Sequence, residues 1–371
     1  MFGLSRGAYT VRCVAGMINN CGIVKPVRDS EGDINEPETD LLCKEVYRIY
    51  RSPYCIGEPH SQQSKDFRHR ASWPLVGDED QSDPTAPRIP SPIQFMGLFD
   101  TVGSLGLPNF TGGVGLEWPK FYDENVSTIV ENVYQAVSLH DRLYAFEPCL
   151  AKRDLKKHVG ESENFGITQE WFPGVHYDLG RQRFKFLRSY GGDWLEQLLA
   201  KLKWASKVIE PNYVLSDLVL KWMLEAISNH DPFGNIIPNI KTHITEIESS
   251  IVSPNRQIGD GDVYNHILDY APFGSVILAE LRRILGTRGR VDDLYQLFFA
   301  LRDRHIPEDN AVVYNYRVVD PDISMNQTIQ QLADIQNLTL NDNEDEGKRY
   351  PSKAYEAWRL RCRVSGLPLQ P

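Results

Sequence analysis

Residues 93–99 read IQFMGLF and close on Asp-Thr-Val-Gly. Gln94 is the only polar side chain in that run, so the segment has no face to give to water. A strand of this kind is buried on both sides, which means a parallel sheet covered by helices. A second run, QEWFPGVH at 169–176, reads the same way and ends on His176. The expectation is therefore an α/β fold. In open parallel sheets, ligands bind in the crevice beyond the carboxyl ends of the strands. Asp100 and His176, each just past an apolar run, become candidates for chemistry on that ground alone.

The rest of the chain supplies the helices. Ala8, Val11, Val14, Ala15 and Ile18 recur at helical spacing, and Asn20 with Gly22 gives a stop. Leu41, Leu42, Glu45, Val46, Ile49 and Tyr50 predict a helix near 38–51, and 123–139 is read as helical too. Residues 56–92 are polar and rich in proline and glycine, which predicts a long surface loop. After about residue 190 the pattern turns helical, with DWLEQLLAKLKWASKVI, LSDLVLKWMLEAI and segments near 275–286, 291–303 and 352–363. The stretch NDNEDEGK at 341–348 reads as a solvated loop. Two regions follow: 1–190, an α/β part with the 56–92 loop inserted, and 191–371, mostly helical.

Charge and cysteine usage exclude several classes. Lys plus Arg is 40 against 50 Asp plus Glu, a net charge of −10, which argues against a nucleic-acid partner. No apolar run reaches the roughly 18 residues of a membrane helix, although peripheral contact with a membrane is compatible with the composition. The cysteines at 13, 21, 43, 55, 149 and 362 have no zinc-type spacing and read as reduced thiols. We expect a cytoplasmic chain with no metal and no cofactor.

Gly3-Leu4-Ser5-Arg6-Gly7 is a G-x-S-x-G pentapeptide opening directly into a helix. The pattern suits a serine nucleophile. The serine sits on a strained strand-to-helix turn, and the glycines leave room for the neighbouring backbone. The Arg6 N–H then faces the developing oxyanion at the positive end of the helix. A five-residue pattern recurs by chance, and Ser5 as a plain helix cap is the competing reading. A nucleophilic serine needs a base, and the base an orienting carboxylate. In α/β-hydrolases the chain order is Ser, acid, His, which Ser5, Asp100 and His176 satisfy. Asp178 is a rival acid two residues beyond His176, and His140, in SLHDRLYAF, is read as structural at a helix end.

FGLSRGAYTVRCVAGMI, GLFDTVGSLG, AVSLHDRLYAFEP, EWFPGVHYDLG and LSDLVLKWMLEA form five ordered blocks between residues 2 and 226. Together they resemble the α/β-hydrolase family grouped with the catalytic domain of type VI secretion lipase effectors, here in a stand-alone, fungal-type form. The resemblance implies phospholipase or related lipid-ester hydrolysis, with Ser5, Asp100 and His176 as the triad. It also implies a segment ahead of Gly3 carrying the first sheet strands and a Cys-Asp-Gly-Thr-like motif. The expectation is thus an N-terminally truncated member that lacks the strand entering the Ser5 turn and one oxyanion donor, with Ser5 loosely held and activity weak or lost. An inactive homologue or a scaffold is the alternative. A second departure lies after the histidine, where the family's Asp-Val-Gly-Gly is Asp178-Leu179-Gly180-Arg181.

Overall fold

The computed structural model describes residues 1–52, 54, 58–73, 92–102, 125–127, 129–142, 147–152, 166–172, 174–185, 208–251, 253, 303–307, 312–313 and 353–365. In chain order the elements are β1 Phe2–Leu4, α1 Arg6–Cys21, β2 Ile23–Val24, α2 Glu36–Tyr50, α3 Gln62–Ala71, β3 Ser72–Trp73, β4 Ile93–Phe99, β5 Val130–Ser138 and β6 Gly166–Phe172. They continue with α4 His176–Leu179, β7 Phe184–Lys185, β8 Val208–Ile209, α5 Tyr213–His230, α6 Ile240–Ile251, β9 Val312–Val313 and α7 Lys353–Ser365. The principal sheet has the order β1-β4-β5-β6-β9. β1 runs parallel to β4 and β6 parallel to β9. The fold is α/β, with a mostly parallel sheet and further helices toward the C-terminus. Contacts divide the chain into two compact units: Met1–Gln135 with Cys149–Thr168, and Ala136–Pro148 with Gln169–Pro371.

In the first unit, the unbroken apolar run 93–99 is β4. Ile93, Phe95, Met96 and Leu98 are buried and only Gln94 is exposed, as a strand covered on both faces requires. Helix α1 lays Ala8 and Ala15 against Ile93, Met96, Leu98, Val130 and Val133. Burying Met96 and Leu98 completely stabilises the fold by about 1.5–3 kcal/mol each. A satellite core of Cys21, Val46, Ile49, Phe67 and Ala71 joins α1, α2 and α3. Asn35 caps α2 by accepting from the Glu38 N–H at 3.2 Å.

In the second unit, α5 is buried over most of its surface, including Leu215, Leu218, Val219, Met223 and Ile227. Asn212 starts it, taking the N–H groups of Val214 and Leu215 at 3.1 Å each. Trp222, read from the sequence as core packing, is half-buried and meets Phe172 edge-on at 5.3 Å between ring centroids.

Three expectations are corrected. The strand held to be absent before Ser5 is present: Phe2–Leu4 pairs in parallel with Gly97–Phe99. Residues 130–138, read as helical, form β5, because Val130, Val133, Tyr134 and Val137 are β-branched or aromatic and prefer a pleated surface. The loop read over 56–92 contains α3. Its polar sequence QQSKDFRHRA still buries Ser64, Phe67 and Ala71 on one stripe, and Ser61 caps it. After 190 the described elements are α5, α6 and α7 with two short strands, β8 pairing with β7 and β9 joining the sheet. The helix expected at 275–286, all but the last residue of that at 291–303, most of DWLEQLLAKLKWASKVI, and the acidic 341–348 stretch lie outside the described residues. Among the described residues no helix is long and apolar enough to cross a membrane. None of their His, Cys, Asp or Glu side chains gather in threes to hold a metal ion.

Candidate active site

Ser5 occupies the single residue between β1 and α1. Its backbone has φ 58° and ψ −124°, a region that residues with a side chain rarely enter. Holding a serine there costs on the order of 1–3 kcal/mol, and the surrounding structure must impose it. Neighbouring backbone does so here. The Ser5 N–H donates to the Phe99 carbonyl at 2.9 Å, and the Ser5 carbonyl accepts from Val102 at 3.4 Å. The turn is thus anchored to the last residue of β4 and to the chain just beyond it, the opposite of a loosely held residue. The Ser5 side chain makes no capping hydrogen bond to the helix, which removes the helix-cap reading.

The two glycines of the pentapeptide differ. A Cβ on Gly3 would lie 2.5 Å from the Gly7 carbonyl oxygen and 2.6 Å from Ala8 Cα, so only glycine lets β1 pass under the start of α1. A Cβ on Gly7 would meet nothing within 4 Å. Gly3 thus sits against protein backbone, whereas Gly7 faces open space. Arg6 is exposed and opens α1, where the first N–H groups have no partner within the helix.

Asp100 directly follows β4. Because Leu4 pairs with Phe99, Ser5 and Asp100 stand at the carboxyl ends of neighbouring parallel strands. Asp100 is fully buried and has φ 40°, a second strained residue beside the first. A buried polar network fixes the chain just beyond it. Gln135 Nε2 donates to Thr101 Oγ1 and to the Cys149 carbonyl at 3.1 Å each, and Gln135 Oε1 accepts from Ala151 N–H at 2.7 Å. Arg12, from α1, donates to the Cys149 carbonyl at 3.0 Å. Buried groups satisfied in this way rigidify their surroundings.

His176 lies in the second unit, at the first position of α4, and is 7% exposed. Several bonds define its turn. The His176 N–H donates to Asp141 Oδ2 at 3.1 Å. His140 accepts from the Gly174 N–H on its Nδ1 at 3.1 Å and donates its own N–H to the Gly174 carbonyl at 3.1 Å. Gly174 has φ 106°, and a Cβ there would come 3.0 Å from Asp178 Oδ2. The rival acid Asp178 is fully buried and engaged locally, its carboxylate accepting from Val175 N–H at 3.0 Å and Asn212 N–H at 2.8 Å.

Arg181, where the resemblance leads one to expect glycine, has φ 50°. The left-handed backbone explains the glycine, since a side chain there costs about 1–2 kcal/mol. Here the arginine has partners that offset the strain: Asp217 Oδ1 at 3.0 Å and the Tyr213 ring at 5.0 Å. His60 and His69 are exposed, and His158 lies outside the described residues. Sequence reading missed Asp141, because taking 123–139 for a helix put His140 and Asp141 at a helix end instead of past a strand. The β-branched content of 129–137 was the available signal.

A family model described as "T6SS, Phospholipase effector Tle1-like, catalytic domain" matches residues 1–226. No curated protein and no solved structure matches. The matched span is more than half of the 371 residues and includes Ser5, Asp100 and His176. The chain therefore belongs to the T6SS Tle1-like phospholipase effector catalytic-domain family, whose general chemistry is lipid-ester hydrolysis.

Proposed function

We propose that this chain hydrolyses the esters of phospholipids or similar lipids through Ser5, His176 and Asp100. The observation that carries the reading is the backbone of Ser5, held strained between β1 and α1 with its hydroxyl released from helix capping. In the first step Ser5 Oγ attacks the ester carbonyl while His176 takes its proton. Arg6 N–H, at the start of α1, stabilises the oxyanion. Collapse expels the alcohol, which takes the proton from His176, and leaves an acyl-serine. Water, deprotonated by His176, then releases the fatty acid and restores Ser5. Asp100 orients the imidazole and stabilises its charged form. The steps balance with water alone, so no cofactor enters. Gly3 sustains the turn. Residues 191–371 form, in this reading, a helical region that supplies packing and no reacting group. The substrate is reached from a membrane surface by peripheral contact, in a cytoplasmic protein.

The test combines turnover with covalent trapping. Fatty-acid release from phospholipid vesicles is expected from the chain. It should fall by about 10³-fold or more in Ser5→Ala and His176→Ala, as for other triads. A fluorophosphonate should label Ser5, identified by peptide mass spectrometry. Labelling elsewhere, or turnover that survives Ser5→Ala, contradicts the reading. A crystal structure of the adduct with the His176 ring beyond hydrogen-bond reach of Ser5 Oγ contradicts the triad.

A further inference from the structure

We propose that His140 and Asp141 form a two-point clamp on the Gly174–His176 turn, which makes Asp141 a positioning residue for the proposed hydrolysis. The inference rests on His176 acting as the base. β5 ends at Ser138 and β6 at Phe172, yet the pairing between them continues. Leu139 N–H donates to the Phe172 carbonyl at 2.8 Å, and His140 and Gly174 exchange two further bonds at 3.1 Å, one through the His140 ring. Asp141 then takes the His176 N–H at 3.1 Å. The rungs therefore run from the strand ends up to the proposed base.

Each partner suits this role. His140 and Asp141 are 5% and 3% exposed, so water does not compete for these bonds. His140 accepts the Gly174 N–H on Nδ1, so its ring adds a side-chain rung to the backbone ladder. Asp141 accepts the His176 N–H through a side-chain oxygen at 3.1 Å, so the turn is held from outside its own backbone. Gly174 has a left-handed backbone, and a side chain there would crowd Asp178 and Leu215 at 3.0–3.1 Å. Asp178 holds the other side of the same turn through Val175 and Asn212. A general base tolerates little displacement, and an error of about 1 Å costs about 10²-fold in rate. A side-chain oxygen bonded to the backbone amide of that base supplies the restraint.

The test compares Asp141→Ala with Asp141→Asn, which keeps an acceptor oxygen of the same shape. Asp141→Ala should lower kcat by about 10–100-fold with KM changed less than about threefold. Asp141→Asn should recover most of that loss. The second readout is independent of turnover: the imidazole resonances of His176 in 13C-histidine-labelled Ser5→Ala protein. They should be broadened or shifted by Asp141→Ala and close to the parent in Asp141→Asn. Unchanged kcat and unchanged resonances in a folded Asp141→Ala protein overturn the clamp, as does an Asn variant no better than Ala. If Asp141→Ala does not fold, hydrogen exchange of the His176 amide in the unaltered chain decides. Protection supports the clamp, and exchange at the rate of an open loop overturns it. Turnover that survives His176→Ala defeats the hydrolase reading, whereas the resonance and exchange data judge the clamp separately.

Discussion

Gly3 and Ser5 lie two residues apart and carry opposite requirements. Gly3 must lack a side chain, and Ser5 must keep one in a backbone region that disfavours it. Gly3→Ala pushes a methyl into the Gly7 carbonyl, so β1 or α1 has to move. Melting should drop by the equivalent of about 1–3 kcal/mol, the usual penalty for overpacking, and turnover should fall further than stability because the displaced element carries Ser5. Gly7→Ala meets open space and should leave the melting temperature within a degree or two. Equal damage from both substitutions contradicts this account. Cys21 offers a second check. Burial pushes its thiol up to about 12, so at pH 8 it should resist iodoacetamide in the folded protein while the exposed Cys43 reacts. Mass spectrometry of the labelled peptides reads the difference.

Among the elements, those with one dominant signal were legible in advance. β4 matched its apolar run residue for residue, and α1 matched its spacing of apolar positions. β5 was misread because IVENVYQAVSL is apolar at both helical and strand-compatible positions, and only its β-branched content separates the two. α3 was missed because its buried stripe is a serine, a phenylalanine and an alanine, too weak to read without the core it packs on. At the candidate site Ser5 was read from the G-x-S-x-G pentapeptide, and Asp100 and His176 from strand ends and chain order. The Arg12–Gln135 network and Asp141 were not, because buried polar partners leave no periodic trace in a sequence. α5 gives the clearest energetic prediction. Asn212→Ala removes the acceptor for two N–H groups and should cost about 1–2 kcal/mol. Met223→Ala, at 1% exposure, should cost about 2–5 kcal/mol. Trp222→Ala takes away a half-buried ring, so it should cost no more than Met223→Ala. Chemical denaturation ranks the three.

For the molecule as a whole, Glu170 makes stability depend on pH. Burial raises its pKa to about 7; the hydrogen bond from Trp222 opposes the shift and the neighbouring Glu225 adds to it. The folded state therefore holds this proton more tightly than the unfolded chain does. Stability contributed by the group is full below about 4.5 and is lost as pH rises through about 7. Glu170→Gln should raise the melting temperature at pH 8 and change it little at pH 4.5. A larger gain at pH 4.5 than at pH 8 contradicts the assignment. Nearby, Lys221 loses solvation on burial, yet its bonds to Glu225 and Glu248 outweigh that loss and strengthen its charge.

The pairing of β9 with β6 also bears on how the protein is made. Glu170 and Val312 are 312 − 170 = 142 residues apart yet neighbours in one ladder. A ribosome adding about 5–20 residues per second needs roughly 7–30 seconds to deliver the second strand after the first. During that interval β6 has an open edge able to pair with another nascent copy. Expression yield should thus respond to translation speed and to chaperone supply more than the finished protein's stability suggests. A fragment cut at residue 226, where the family match stops, keeps that edge permanently and should aggregate.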